Sequence, residues 1–211
     1  MLIDLHCHEK TYSPCSNAAL EDMVAEAKRK KLDAFCITDH DCLGLRERAH
    51  QLSKAVNYPI LVGVEIYTYE GDMVVFGLDS VPDKRVHLHE LLVLIRRVNG
   101  VCVSAHPYRS NMRGLRDNLS GLKDYADIAG VEIRNGRTDL EANELARCRG
   151  KELGSFMTGG SDAHEVNEVG CCATWLPESV TNETELIDIL RRGVSKAAVY
   201  KNGFYQVVET V

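Results

Sequence analysis

The 211-residue sequence lacks several features that would otherwise direct its reading. No run of about 18 apolar residues offers a membrane-spanning helix. The chain opens on Met1-Leu2-Ile3-Asp4, without the charged region and apolar stretch of a signal peptide. None of the eight cysteines forms a CxxC pair, so a paired-thiol zinc or redox motif is excluded. Cys7, Cys36 and Cys102 instead sit in apolar runs, where a reduced thiol packs as a small hydrophobe. The expected setting is soluble, reducing and cytoplasmic. A basic excess is also missing: 25 Lys and Arg face 31 Asp and Glu, for a net charge of -6. That argues against a general nucleic-acid binder but leaves room for a short oligonucleotide as substrate. There is no GxSxG nucleophile elbow, Walker A loop or dinucleotide fingerprint. No Pro/Ser-rich linker, low-complexity tract or repeat divides the sequence, so one domain over 1–211 is expected.

What is present is a recurring unit: a short β-branched apolar run, polar residues, then a helical stretch. The runs are Leu2–Leu5, Ala34–Ile37, Ile60–Val64, Met73–Phe76, Val101–Ser104, Ile128–Ile133 and Ser155–Thr158, with a shorter one at Ala197–Val199. Leu20, Val24 and Ala27 mark one helical stripe. Leu88, Leu91, Leu92, Ile95 and Val98 mark a clearer one at helical spacing. Thr138-Asp139-Leu140-Glu141 reads as a capping box, and a last helix spans Asn182 to Arg192 before Gly193. Alternating β and α units imply a parallel sheet with helices outside, as a compact α/β barrel or an open doubly wound sheet.

Both architectures place active sites at the carboxyl ends of their strands. His6 and His8, Thr38 to Asp41, Glu65, His106, and Asp162 with His164 each follow an apolar run at or near that end. Five of the eight histidines fall in these segments. In Asp4-Leu5-His6-Cys7-His8, alternation puts both imidazoles on one strand face, where they can share an ion. Asp4 can orient a ligand histidine from behind. Charged groups at the end of a buried strand are costly unless solvated, paired or metal-bound. Asp39 and Asp41 read as residues behind the ligands, Asp39 as a hydrogen-bond partner. Mixed imidazole and carboxylate donors suit zinc, manganese or iron better than magnesium or calcium. Water activated by metal is then the candidate nucleophile. His87-Leu88-His89 imitates the first motif but lies on an expected helix, where positions i and i+2 point about 200° apart.

In this order, Asp4-Leu5-His6-Cys7-His8, Thr38-Asp39-His40-Asp41, Gly63-Val64-Glu65, His106-Pro107 and Ser161-Asp162-Ala163-His164 resemble the motifs of the PHP (polymerase and histidinol phosphatase) superfamily. The likeness runs from residue 2 to about residue 195 and is nearest to the stand-alone metal-dependent phosphoesterases. It implies a distorted seven-stranded (β/α) TIM-like barrel holding two or three divalent transition-metal ions (Mn, Zn or Fe). By that resemblance His6, His8, Glu65 and Asp162 would hold a first ion, Glu65 and His106 a second, and His40 and His164 a third. Asp72 stands where many relatives have a histidine ligand, and Cys15 lies in a loop that in relatives often supplies one; either can still ligate.

Arginines near such a site suit an anionic ester, because a guanidinium grips phosphate oxygens in pairs. Arg109 after His106-Pro107-Tyr108, and Asn135 and Arg137 after Val131-Glu132-Ile133, are the candidate substrate contacts; Arg113 and Arg116 share the first loop. The expected function is hydrolysis of a phosphomonoester, nucleotide or short oligonucleotide by a metal-bridging hydroxide, with Glu65, His106, Asp162 and His164 in the catalytic centre. A metal-dependent hydrolase of another bond, or a non-catalytic binding module, are the alternatives. No obligate protein partner is evident.

Overall fold

A computed structural model describes residues 1–208 as eleven strands and five α-helices. The strands are β1 Leu2–Asp4, β2 Ala34–Ile37, β3 Ile60–Val62, β4 Val64–Tyr67, β5 Asp72–Phe76, β6 Val101–Ser104, β7 Ala129–Asn135, β8 Met157–Gly160, β9 Cys172–Trp175, β10 Lys196–Lys201 and β11 Phe204–Val207. The helices are α1 Leu20–Arg29, α2 Arg46–Val56, α3 Leu88–Arg97, α4 Leu140–Leu153 and α5 Glu183–Arg191.

The strands form two mixed sheets, ordered β11-β10-β9-β1-β2-β3 and β4-β5-β6-β7-β8. Among the described residues no ladder closes them into a barrel, so the seven-stranded barrel expected from the sequence gives way to two sheets. The expected all-parallel arrangement is also corrected. Strands β1, β2 and β3 run parallel, as do β6, β7 and β8. But β4–β5, β5–β6, β1–β9, β9–β10 and β10–β11 pair antiparallel. The physical reason is local. Only Thr68 to Gly71 separate β4 from β5, too few residues for a crossover helix but enough for a hairpin. Thr68 N–H donates to the Gly71 carbonyl at 3.0 Å, and Gly71 takes φ +152° against the Gly114 backbone. Where β8 and β9 approach, the Thr174 hydroxyl replaces a ladder: it accepts from Gly159 N at 3.0 Å and donates to Gly159 O at 2.8 Å.

Strands buried on both faces carry apolar residues at every position, which is why the sequence shows runs rather than alternation. Ala34 and Cys36 of β2 face a core shared with Val74, Phe76, Val101 and Val103 of the other sheet and with Leu186 and Leu190 of α5. Phe35 and Ile37 turn the other way, under Leu20, Met23, Val24 and Ala27 of α1. On the second sheet Met73, Val75 and Cys102 turn outward beneath Leu88, Leu91, Leu92 and Ile95 of α3. Val98, expected on that stripe, is the C-cap and is exposed. The expected capping box at α4 is also displaced: Asp139 is the cap, accepting from Ala142 N at 2.8 Å, while Thr138 bonds to Asn135. The last helix, expected from Asn182 to Arg192, runs from Glu183 to Arg191, with Asn182 as its N-cap, accepting from Glu185 N at 3.0 Å.

Two isolated bridges, Cys7 with Ala163 and His40 with Glu65, tie the sheets together beside the polar cluster described next. No helix among the described residues is long and apolar enough to cross a membrane.

Candidate metal centre

His6 and His8 follow β1, His40 follows β2, Glu65 lies in β4, His106 follows β6, and Asp162 and His164 follow β8. The fold gathers these residues from all along the chain around two carboxylates. Glu65 Oε1 lies 3.0 Å from His106 Nε2 and 3.4 Å from His6 Nε2. Its Oε2 lies 2.9 Å from His40 Nδ1 and 3.4 Å from His8 Nε2. Asp162 Oδ1 stands 3.2 Å from His8 Nε2 and 3.6 Å from both His6 Nε2 and His164 Nδ1. Three overlapping groups each keep their donor atoms within 4.8 Å of one another: His6-His8-Asp162, His6-Glu65-His106 and His8-His40-His164. Two of these cut across the sets the resemblance implied: Glu65 groups with His106 and His6, and His8 joins His40 and His164.

Whether these groups fit metal ions can be tested on their unmet valences. His6 Nε2, His8 Nε2, His40 Nδ1 and Glu65 Oε2 are buried and have no hydrogen-bond partner. Orphaned buried polar atoms are rare, because each forfeits its hydration without replacement. Here four of them converge, all imidazole nitrogens or a carboxylate oxygen. That donor set fits divalent transition-metal ions.

The donors are held from behind. Ser13 Oγ lies 3.3 Å from His8 Nδ1 and donates to Asp39 Oδ1 at 2.7 Å, so Asp39 acts on His8 through a hydroxyl. Asp4, expected to orient an imidazole, instead accepts backbone N–H groups: Oδ1 from His6 and Ser161 at 3.2 and 2.9 Å, Oδ2 from Gly170 at 2.8 Å. The imidazole-orienting carboxylate is Glu132, whose Oε1 lies 3.1 Å from His6 Nδ1. No motif in the sequence singles it out. The signal was a lone glutamate inside the apolar strand Val131-Glu132-Ile133, a placement that is costly without a partner. His106 and Asp162 carry positive φ angles of 32° and 55°. Such backbone is strained for non-glycine residues and is typical of functional sites.

Electrostatics separates the histidines. Burial disfavours the cation on His6, but Asp162, Glu132 and Glu65 outweigh it and raise its pKa well above the imidazole range. Burial dominates at His8, lowered to about 4. Burial would raise Glu65 and Asp162, yet His6 foremost among their neighbours holds both well below the carboxylate range. Burial pushes Asp39 and Asp72 up to about 6.

His40, Glu65, His106, Asp162 and His164 line a pocket of about 580 Å³, with Cys15, Tyr67, Arg109, Asn111, Arg113 and Arg137 around them. Arg109 contacts Asp162 Oδ2 and donates to Asn135 Oδ1 at 2.6 Å and Thr138 Oγ1 at 3.2 Å. Asn135, expected as a substrate contact, is buried beneath Arg109 and spends its amide on Glu132 Oε2 at 2.9 Å. Arg137 reaches Glu168 at 3.5 Å on the exposed rim. Arg113 pairs with Asp72 at 2.7 Å, and Arg116 turns back to the Arg109 carbonyl at 3.1 Å. Asp72 stands 3.8 Å from His106 Nε2. Neither Asp72 nor Cys15 belongs to any of the three donor groups. Asp41 accepts from Tyr67 N at 3.2 Å. His87 caps α3 and pairs with Glu70, and His89 lies by Tyr125, so neither joins the site.

The fold and this constellation define an α/β protein whose strand ends converge on buried histidine, aspartate and glutamate donors. The chain belongs to the PHP domain family, the polymerase and histidinol phosphatase superfamily: the domain matches residues 4–147, and a PHP-associated region matches residues 141–195. An uncharacterized protein of Methanocaldococcus jannaschii is 28% identical over 145 residues, covering 64% of this chain and 82% of its own. A Caldicellulosiruptor saccharolyticus protein named "Probable phosphatase" is 26% identical over 206 residues, covering 81% of this chain and 83% of its own. Among solved structures, a two-domain Bacteroides vulgatus protein containing a predicted PHP-like metal-dependent phosphoesterase superposes with a TM-score of 0.71 at 17% identity, over 95% of this chain and 65% of its own.

Proposed function

We propose that the protein is a metal-dependent phosphoesterase that hydrolyses a small phosphomonoester, a nucleotide or a short oligonucleotide. The observation that carries this reading is the juxtaposition of Arg109 with the orphaned donors. A guanidinium fixed by Asn135 and Thr138 stands at the edge of a cluster of imidazole and carboxylate ligands. Cation and ligands together suit an anionic ester.

His6, His8, Glu65, His106 and Asp162 would hold two divalent ions, and His40 and His164, with His8, a third; manganese, zinc and iron suit the donors. Ions bound there supply an acidified water and offset negative charge on the phosphoryl oxygens. The protein's own groups do the rest. Arg109 grips a phosphoryl oxygen and orients the ester against the floor of the pocket. Arg113 and Arg137 place two further guanidinium groups on its rim, beside Asp72 and Glu168, within reach of an anionic ester. Glu132 and the Ser13–Asp39 pair hold His6 and His8 in place, so that the ligands need not reorganise as charge develops. The name of the Caldicellulosiruptor relative supports the reading, and the eight free cysteines accord with a reducing, cytoplasmic setting.

The test is a panel of phosphomonoesters, nucleotides and short oligonucleotides, with free phosphate and cleaved product both followed, on protein loaded in turn with manganese, zinc and iron. Hydrolysis that falls by orders of magnitude in His6→Ala is expected. Fully loaded protein that cleaves none of them, while a related phosphatase does so in parallel, would refute the proposal.

A further inference from the structure

Glu132 lies on β7, 2% exposed, and has no lysine or arginine among its hydrogen-bond partners. Its two oxygens have different tasks. Oε2 accepts the His106 backbone N–H at 2.8 Å and the Asn135 side-chain amide at 2.9 Å. The first of these donors cannot become an acceptor. The second could do so only by turning, which would sacrifice the bonds that Asn135 Oδ1 accepts from Arg109 at 2.6 Å and from Thr138 Oγ1 and Arg137 N at 3.0 Å each. Oε1 faces His6 Nδ1 at 3.1 Å. An ionised carboxylate only accepts, so the proton of that bond sits on Nδ1. The lone pair of the neutral ring is then on Nε2, the atom that lies 3.4 Å from Glu65 Oε1 and 3.6 Å from Asp162 Oδ1 without a hydrogen bond of its own.

We propose that Glu132 is a positioning residue that locks His6 in its Nδ1–H tautomer, presenting Nε2 to a divalent transition-metal ion. The same carboxylate pins the backbone of His106 and, through Asn135, the guanidinium of Arg109. One buried side chain thus sets a ligand tautomer, a second ligand's backbone and the anion grip. The inference rests on the reading of His6 as a metal ligand.

Glu132→Gln tests it without changing side-chain shape. Its oxygen must stay on the His106 and Asn135 donors, because turning the amide would set donor against donor twice. Its NH2 then faces His6 Nδ1, which must become an acceptor, and the ring proton moves to Nε2, where it blocks the metal. Two of the three donor groups contain His6. Zinc titration by calorimetry is therefore expected to show those sites weakened about 10- to 100-fold. The group His8-His40-His164, which lacks His6, keeps its affinity. Long-range proton–nitrogen NMR of the zinc-loaded wild type is expected to show the His6 proton on Nδ1. In the metal-free variant, at a pH high enough for the ring to be neutral, it is expected on Nε2. A purely structural role for Glu132 would lower the melting temperature without moving the proton. Zinc affinity in Glu132→Gln equal to wild type would overturn the inference, as would a wild-type His6 with no proton on Nδ1. The wild-type spectrum decides the matter even if the variant does not fold. Wild-type protein that binds no zinc would instead overturn the metal-site reading beneath it.

Discussion

Replacing Gly160 with alanine should damage the metal centre more than it damages the fold. A Cβ built on Gly160 would lie 2.6 Å from His6 Cβ and 2.7 Å from Glu132 Oε1, closer than real Cβ contacts occur. Neither neighbour can yield cheaply. His6 Cβ is fixed by the chain beyond β1, and Glu132 is held by three hydrogen bonds. Overpacking of this kind costs about 1–3 kcal/mol. For a chain of this size each kcal/mol lowers the melting temperature by about 2–4 °C, so a drop of roughly 2–12 °C is expected. Because the displaced groups are His6 and the carboxylate that orients it, zinc affinity should fall about 10- to 100-fold as well. Gly154→Ala is the matched control. Gly154 ends α4 at φ +66° with nothing within 4 Å of a new Cβ. Its cost is conformational, about 1–2 kcal/mol. Calorimetric zinc titration and thermal melts of both variants make the comparison. Unchanged zinc affinity in Gly160→Ala, or an equal loss in Gly154→Ala, would show that Gly160 does not hold His6 and Glu132 in register.

Other outcomes follow from the same geometry. Zinc binding near pH 7 should release protons from His6 and, as the third site fills, from His40, but not from His8, and calorimetry in buffers of different ionisation enthalpy measures it. Since the pKa of His6 is raised on folding, its ion pairs stabilise the metal-free protein fully below the ordinary imidazole range. That stability is lost as pH rises through the elevated value, so the metal-free melting temperature should fall on the alkaline side. Arg109→Ala should leave zinc stoichiometry intact while cutting kcat/KM for a phosphoester by about 100- to 1000-fold, as loss of a single transition-state donor does; steady-state kinetics with elemental analysis checks both. Ser13→Ala removes the hydroxyl between His8 and Asp39 and should weaken zinc binding by roughly tenfold or more, read by the same titration.

Much of the site was legible because histidine and carboxylate residues at the ends of apolar runs leave few alternatives to convergence. His6, His8, His40, Glu65, His106, Asp162 and His164 all meet in the structure. What failed to show is directional. Ile60–Val64 reads as one strand, but it splits at Gly63 between two sheets, where a side chain would strike Phe76 and the Val75 carbonyl. A run buried on both faces looks the same whether its neighbour is parallel or antiparallel, so the β4–β5 hairpin stayed hidden. Strand β9 is short and begins in a pair of cysteines, and it left no periodic signal. Asp4 and Glu132 exchanged the role expected of Asp4: alternation gives the face a side chain leaves from, not whether it meets a ring or a backbone amide across the sheet. Arg109 was legible as a cation near the site, but its anchoring by Asn135 depends on β6 and β7 lying side by side.

These strand-end donors are expected to hold divalent metal ions. Anomalous diffraction at the zinc edge, from crystals of the zinc-loaded protein, tests this most directly. At least two anomalous peaks are expected within bonding distance of donor atoms, one including His6 or His8 with Asp162 and one including Glu65 with His106. A map with no peak among these residues, at full zinc loading, would contradict it.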